Sequence, residues 1–323
     1  MSDVDIIGAG AFGTALGVTL ARDGRRVCLW SRNPGHRDEM RESRRNDRRL
    51  PGVELPPSLN IADDPAALRA DTVLLAIPAQ TLDGFLTENR KLLAGRRLVA
   101  CAKGIDLRSG LGPTGIIANA VPDSVPAILS GPSFAVDLAN GLPTALTLAC
   151  ADPAAGTALQ TLLSTAALRL YLTSDTVGAE LGGALKNVMA IACGLTVGAG
   201  LGESARAALM TRGYAEMGRF ARLRGARPET LAGLSGFGDM VLTCTSEKSR
   251  NYAHGLALGR GDASGTGAGT TVEGVHTARA VAGIAKQEGI DMPITTLVNA
   301  VVSGKIDVDR AKELLLARPL KEE

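Results

Sequence analysis

Within its first thirteen residues the chain passes from an apolar run, Val4–Ile7, into Gly8-Ala9-Gly10-Ala11-Phe12-Gly13, and a helical pattern follows over 12–23. A strand that turns through GxGxxG into a helix belongs to a βαβ unit. The first glycine makes the tight turn, the second lets a pyrophosphate pass close to the backbone, and the third lets helix and strand pack together. The bound anion is expected on the helix N-terminus. Alone the motif is weak evidence. Placed directly after a strand, and with a second strand pattern at 26–30, it becomes strong.

The alternation continues. Further strand patterns lie at 73–77, 98–101, 127–129, 144–149 and 168–171, with helical patterns at 35–46, 81–93 and 153–165. This order predicts a doubly wound, mostly parallel sheet of Rossmann type. After about residue 175 the strand signals stop, and helices are expected at 175–198, 203–224, 228–233, 249–258, 273–288, 294–302 and 307–317. At 323 residues the chain exceeds the usual size of one core. The expectation is an α/β dinucleotide-binding domain over 1–174 and an all-α substrate domain over 175–323. The stretch GDASGTGAG at 261–269 reads as a small-residue loop between helices.

Charge is nearly balanced, 35 basic against 33 acidic residues, and aromatics make up 3%, so no nucleic-acid partner is expected. Cys28, Cys101, Cys150, Cys193 and Cys244 form no CxxC pair and read as small buried hydrophobes in a reducing compartment. No metal-ligand cluster is visible. The start lacks a charged segment followed by a long apolar one, so a cytoplasmic location is expected.

Between Glu180 and Glu203 lie 22 residues with one charged side chain, Lys186, followed by Asn187. The length suffices for a membrane span. Six glycines, the lysine and the lack of a basic flank favour a tightly packed core helix and a Gly-rich loop. Burial lowers a lysine's pKa toward acid–base use, which makes Lys186 a candidate catalytic group; the plain alternative is a lysine snorkelling from a helix edge.

NAD-specific sites usually place an acid at the end of the second strand, on the ribose hydroxyls. This chain has Ser31-Arg32-Asn33 there. A guanidinium without a carboxylate accepts a 2′-phosphate, so NADP(H) is expected to be favoured over NAD(H). The arginines at 32, 37, 41, 44, 45, 48 and 49 read mainly as a solvated face. Lys103 and the segment from Gly131 to Ala135 each follow a strand and are expected to line the ligand crevice, the alternative for Lys103 being an ordinary surface loop lysine. Pro78 is expected to stop the 73–77 strand beside it. Farther on, Leu234-Ser235-Gly236-Phe237-Gly238-Asp239 suggests a carboxylate delivered at a tight approach, with Thr243 one turn later on the same face. Ser249-Arg250-Asn251 at a helix start suits a phosphate, although, taken alone, the tripeptide reads better as a simple N-cap.

Taken in order, GAGAFGTALG, VLLAIPAQ, CAKGI, LSGPSFA, LKNVMAIACG, LSGFGDMVLTC, SRNYAHG and TVEGV resemble one family over essentially the whole chain. It is the NAD(P)-dependent sn-glycerol-3-phosphate dehydrogenases of the soluble, bacterial type. The resemblance implies interconversion of dihydroxyacetone phosphate and sn-glycerol 3-phosphate, which feeds phospholipid synthesis. It implies Lys186 as proton donor and acceptor, with Asn187 and Asp239 beside it. Lys103, Gly131, Ser133, Asp239, Ser249, Arg250 and Asn251 would contact the substrate. Gly8, Gly10, Ala11, Phe12, Gly13, Arg32, Asn33, Lys103, Ala135, Arg250, Thr271 and Glu273 would meet the dinucleotide. A homodimer without a membrane span is expected. The chain departs from the family in two places: Ala11-Phe12 where Ser-Trp is frequent, and Arg49 where an aromatic is. Two other readings stand beside this one, a 3-hydroxy-acid dehydrogenase of similar build and a catalytically inactive NADP-binding sensor.

Overall fold

The computed structural model describes residues 2–262 and 272–316. Ten strands occur among them: β1 (Val4–Ile7), β2 (Val27–Trp30), β3 (Arg45–Asn46), β4 (Leu50–Glu54), β5 (Leu59–Ala62), β6 (Thr72–Leu75), β7 (Arg97–Ala100), β8 (Val125–Ser130), β9 (Thr144–Cys150) and β10 (Leu168–Thr173). Eight form one sheet in the order β10-β9-β8-β7-β6-β1-β2-β5, while β3 and β4 make a separate antiparallel pair. Every pairing in the large sheet is parallel except β8 with β9. Strand order reverses at β1, between β2 and β6, which puts a ligand crevice at the carboxyl ends there.

Apolar clusters cover both faces of the sheet. One contains Leu16 and Leu20 of the helix Ala11–Arg22, and the other contains Leu82 and Leu86 of the helix Ala79–Glu88. The glycine turn is dictated by contact. Gly8 has φ +111°, and a Cβ on Gly13 would run into the Gly8 carbonyl. Gly10, by contrast, has open space where a side chain would stand.

Beyond β10 the described elements are helical, beginning with Thr176–Gly198, capped by Asp175, which accepts from Gly178 N at 2.8 Å. This is the one described helix long and apolar enough to cross a membrane, and 89% of its most apolar window is buried inside the protein. Its glycines serve packing. Cβ atoms on Gly194 and Gly198 would strike the carbonyls of Tyr252 and Leu256, and one on Gly255 would strike that of Ile191. The helix therefore meets Arg250–Gly259 backbone to backbone, which fixes where Ser249, Arg250 and Asn251 sit relative to Lys186.

Several elements differ from the sequence expectation. The edge strand β5, the β3–β4 pair and the helices Pro113–Ala120 and Ala135–Ala139 had no recognised signal. The 73–77 strand ends at Leu75, and Pro78 instead caps the helix Ala79–Glu88. The stretch around Asp239 is a π-helical turn, Leu234–Gly238, leading into the helix Asp239–Cys244. Most of the 261–269 loop lies outside the described residues.

A buried carboxylate joins the long helix to the sheet domain. Glu180 accepts the Thr114 backbone N–H at the start of Pro113–Ala120, and Gly112 leaves the room for it. Burial raises its pKa from 4.5 to about 7. A raised folded-state pKa means stability that is present below the unfolded pKa and lost as pH rises through the folded one. At about 1.4 kcal/mol per unit, Glu180 removes roughly 3 kcal/mol between about pH 4.5 and 7. Glu180→Gln keeps an acceptor for Thr114 and abolishes the titration. Urea unfolding should therefore show the variant gaining on the parent across that window. A stability difference independent of pH would show that Glu180 ionises as an ordinary carboxylate.

Candidate active site

The long helix carries Lys186 past the end of β8, and the turn into Asp239–Cys244 brings Asp239 to meet it. Lys186 and Asp239 are 7% and 1% exposed. Lys186 Nζ donates to Thr243 Oγ1 at 2.6 Å and pairs with Asp239 Oδ1 at 3.0 Å. Thr243 Oγ1 in turn donates to Asp239 Oδ1 at 3.2 Å. The other carboxylate oxygen, Asp239 Oδ2, lies 2.7 Å from Lys103 Nζ, which also donates to the Gly131 carbonyl at 2.9 Å. One buried carboxylate thus holds two ammonium groups. Each ammonium has three hydrogens and spends two on these partners, leaving one for a ligand.

The tight approach sits at Gly182. A Cβ there would lie 2.8 Å from the Gly236 Cα, so the π-helical turn packs directly on the lysine helix. Burial pushes the Lys186 amine below its ordinary range; Asp239 opposes the fall and Lys103 adds to it. The group is thereby made a better proton donor and acceptor near neutrality.

A chain of amides runs from this cluster. Asn187 Nδ2 reaches the Lys103 carbonyl at 3.5 Å, Asn251 Nδ2 donates to Asn187 Oδ1 at 3.0 Å, and Gly274 N donates to Asn251 Oδ1 at 3.0 Å. Ser249 caps its helix, accepting from Tyr252 N at 3.2 Å, so the plain capping role is real. Its hydroxyl hydrogen and one Asn251 amide hydrogen are not used by these bonds. Arg250 is exposed. Glu273 begins the helix Glu273–Glu288, and burial raises its pKa against the pull of Arg250, Lys103 and Lys186.

At the other end of the crevice, Gly8, Gly10 and Gly13 form the turn described above, and Ala11 and Phe12 open the helix. Arg32 is exposed two residues beyond β2. Asn33 is occupied as an N-cap, accepting from His36 N at 3.0 Å. Ser133 and Ala135 follow Gly131 at the end of β8, with the Ser133 hydroxyl 3.5 Å from the Gly131 carbonyl. Thr271 lies outside the described residues.

The structure brings Lys103, Gly131, Lys186, Asn187, Asp239 and Asn251 into one bonded group, whereas Arg32 and Asn33 stand apart from it. Sequence reasoning passed over Asn46. Its Nδ2 donates to the Ala9 carbonyl at 3.1 Å and to Thr14 Oγ1 at 2.7 Å, while its Oδ1 meets His36 Nε2 at 2.7 Å. This buried network braces the glycine turn. It sat hidden in an Arg-rich stretch that reads as solvated surface.

Comparison with known proteins shows the family. The family model for the N-terminus of NAD-dependent glycerol-3-phosphate dehydrogenase matches residues 3–156, and that for the C-terminus matches 175–313. The chain is 58% identical over 321 residues to a glycerol-3-phosphate dehydrogenase (NAD(P)+) of Ruegeria sp. (strain TM1040), covering 99% of each chain. It is 59% identical to the protein of that name from Cereibacter sphaeroides, covering 99% of this chain and 100% of the relative. A crystal structure of glycerol-3-phosphate dehydrogenase from Coxiella burnetii superposes with a TM-score of 0.94 at 37% identity, covering 98% of this chain and 99% of that one. The chain belongs to the NAD-dependent glycerol-3-phosphate dehydrogenase family.

Proposed function

We propose that this protein interconverts dihydroxyacetone phosphate and sn-glycerol 3-phosphate with a nicotinamide cofactor, Lys186 serving as acid and base. The observation that carries the reading is the Asp239 carboxylate held between Lys103 and Lys186, each with a hydrogen to spare. The cofactor fits the residues present: Gly10 leaves the helix N-terminus open, and Arg32 offers a cation without a competing acid. When bound, a reduced nicotinamide supplies the hydride that reaches C2 of the ketone.

As negative charge grows on the carbonyl oxygen, the Lys186 ammonium stabilises it and then gives up a proton. In the reverse direction the neutral amine takes the alcohol proton. Thr243 and Asp239 hold the amine in line, and Asp239 keeps its proton affinity from falling further. Lys103, tied to Gly131, steadies the substrate from the sheet side. Ser249, Arg250 and Asn251 hold the phosphate, whose binding energy orients the carbonyl. This reading carries with it a sheet domain over 1–174 for the cofactor, a helical domain over 175–323 for the substrate, and a homodimer in the cytoplasm. It also assigns the protein a supply of glycerol 3-phosphate for phospholipid synthesis.

The purified protein should consume NADPH or NADH when given dihydroxyacetone phosphate and should release glycerol 3-phosphate. Turnover of a 3-keto acid in preference to the phosphorylated ketone would favour the hydroxy-acid rival. Binding without turnover on either would favour the sensor.

Cofactor preference rests on Arg32. NADPH should bind more tightly than NADH, and the margin should shrink as salt rises, because an exposed pair is screened over about 8–10 Å. Arg32→Asp should invert the order, since the 2′-phosphate then meets a repulsion while the ribose hydroxyls gain an acceptor. Dissociation constants from calorimetry check this. If Arg32→Ala weakens both cofactors by the same factor, the side chain contacts something the two share.

A further inference from the structure

The helix Thr176–Gly198 lies across the end of β8. Ala179 shares an apolar cluster with Ile128. One turn on, Gly183 faces Ser130: a Cβ there would come within 2.5 Å of Ser130 Oγ and 3.3 Å of Lys103 Cγ. Lys186 follows on the next turn. Ser130 is 1% exposed, and its Oγ has no hydrogen-bond partner among the described residues. The neighbouring Gly131 carbonyl is taken by the Lys103 ammonium.

An unpartnered buried hydroxyl is rare in folded proteins because desolvating it is costly. Alanine would occupy this place without that cost. A Cβ on Gly183 would meet both that hydroxyl and the stem of Lys103, so the two lie on the same side of the long helix, at the carboxyl edge of the sheet where ligands bind. In the proposed reaction the substrate phosphate meets Ser249, Arg250 and Asn251, and the carbonyl oxygen meets Lys186. The remaining polar group of dihydroxyacetone phosphate is its free hydroxymethyl group. The part of the substrate that Lys103 steadies would thus gain a second partner, in a protein hydroxyl that has none among the described residues.

We propose that Ser130 is a further substrate-binding residue, its Oγ hydrogen-bonding the free hydroxymethyl group of the ketone. The assignment rests on the proposed reaction and adds to it a means of recognising a triose phosphate over its deoxy analogue. A site with a buried group aimed at a substrate hydroxyl discriminates against the analogue that lacks it.

The test is steady-state kinetics of parent and Ser130→Ala with dihydroxyacetone phosphate and with hydroxyacetone phosphate, which lacks that hydroxyl. The variant should lose roughly 10- to 100-fold in kcat/KM on the former and stay within about twofold on the latter. Its KM for NADPH should not change, and its melting temperature should hold or rise. Equal losses on both ketones would mean that Ser130 acts through the Lys103 stem, and no loss on either would remove it from recognition; both overturn the proposal. Ser130→Cys, close in volume and a weak hydrogen-bonding group, should fall between parent and alanine and serves if the alanine variant does not fold. If the parent reduces neither ketone, the underlying reaction is wrong and this assignment falls with it. If the parent is active and the variants are unaffected, only the Ser130 assignment falls.

Discussion

Lys186→Met should lower turnover by about 10²–10⁴, the usual worth of general acid–base catalysis, while the protein stays folded and binds NADPH as before. Methionine keeps the apolar length of the side chain in a site 7% exposed. It also removes a cation whose burial is unfavourable, as the lowered pKa of the amine records. Asp239 loses one partner but keeps Lys103 at 2.7 Å. Loss of activity should therefore far exceed loss of stability. The pH profile separates chemistry from packing. In the parent, oxidation of the alcohol should rise with pH as Lys186 loses its proton, and in the variant that limb should vanish. A variant that keeps more than half of parental turnover would exclude Lys186 from proton transfer.

Those parts of the protein governed by local rules were legible in the sequence. Val4–Ile7 and the glycine turn appear where the pattern put them, because the turn is set by sterics within a few residues. The long helices were readable for the same reason. β5 was not: Leu59–Ala62 has buried ends around exposed Asn60, and its strand character comes from pairing with β2. Pro113–Ala120 was missed because Gly112 and Gly115 look like loop, yet Gly112 is required by the Glu180 carboxylate above it. The site was partly legible. The residue types stood out, but the distance from Lys103 to Asp239 spans 136 positions and that from Lys186 to Thr243 spans 57, which no periodicity encodes. Likewise, the Ser130 hydroxyl stands out only through the absence of a partner among the described residues.

Asp239→Asn should be nearly as damaging as loss of Lys186, through the proton rather than through contact. The carboxylate is 1% exposed, with one oxygen 3.0 Å from Lys186 Nζ and the other 2.7 Å from Lys103 Nζ. An amide of the same shape offers one acceptor and turns two hydrogens toward the second ammonium. The buried Lys186 and the half-buried Lys103 then lose the carboxylate that stood between them, and removing one partner of such a group typically costs about 3–5 kcal/mol. The protein can reduce that cost by shedding a proton. Burial and Lys103 already press the Lys186 pKa down, and Asp239 is the counterweight. Without the counterweight Lys186 becomes a neutral amine over more of the pH range. Ketone reduction needs the ammonium, so it should fall roughly 10²–10³-fold near neutrality and recover partly as pH is lowered. Alcohol oxidation needs the amine and should suffer less. The alkaline limb of the reduction profile should move down by at least about one pH unit. A depressed lysine pKa in the folded state also makes stability rise with pH, because the unfolded chain binds the extra proton. The variant should therefore regain stability relative to the parent under alkaline conditions. Reduction and oxidation profiles, measured on one preparation with urea unfolding at the same pH values, check all three expectations. An alkaline limb that stays where the parent has it would mean that Asp239 merely anchors the two lysines and does not set the proton affinity of Lys186.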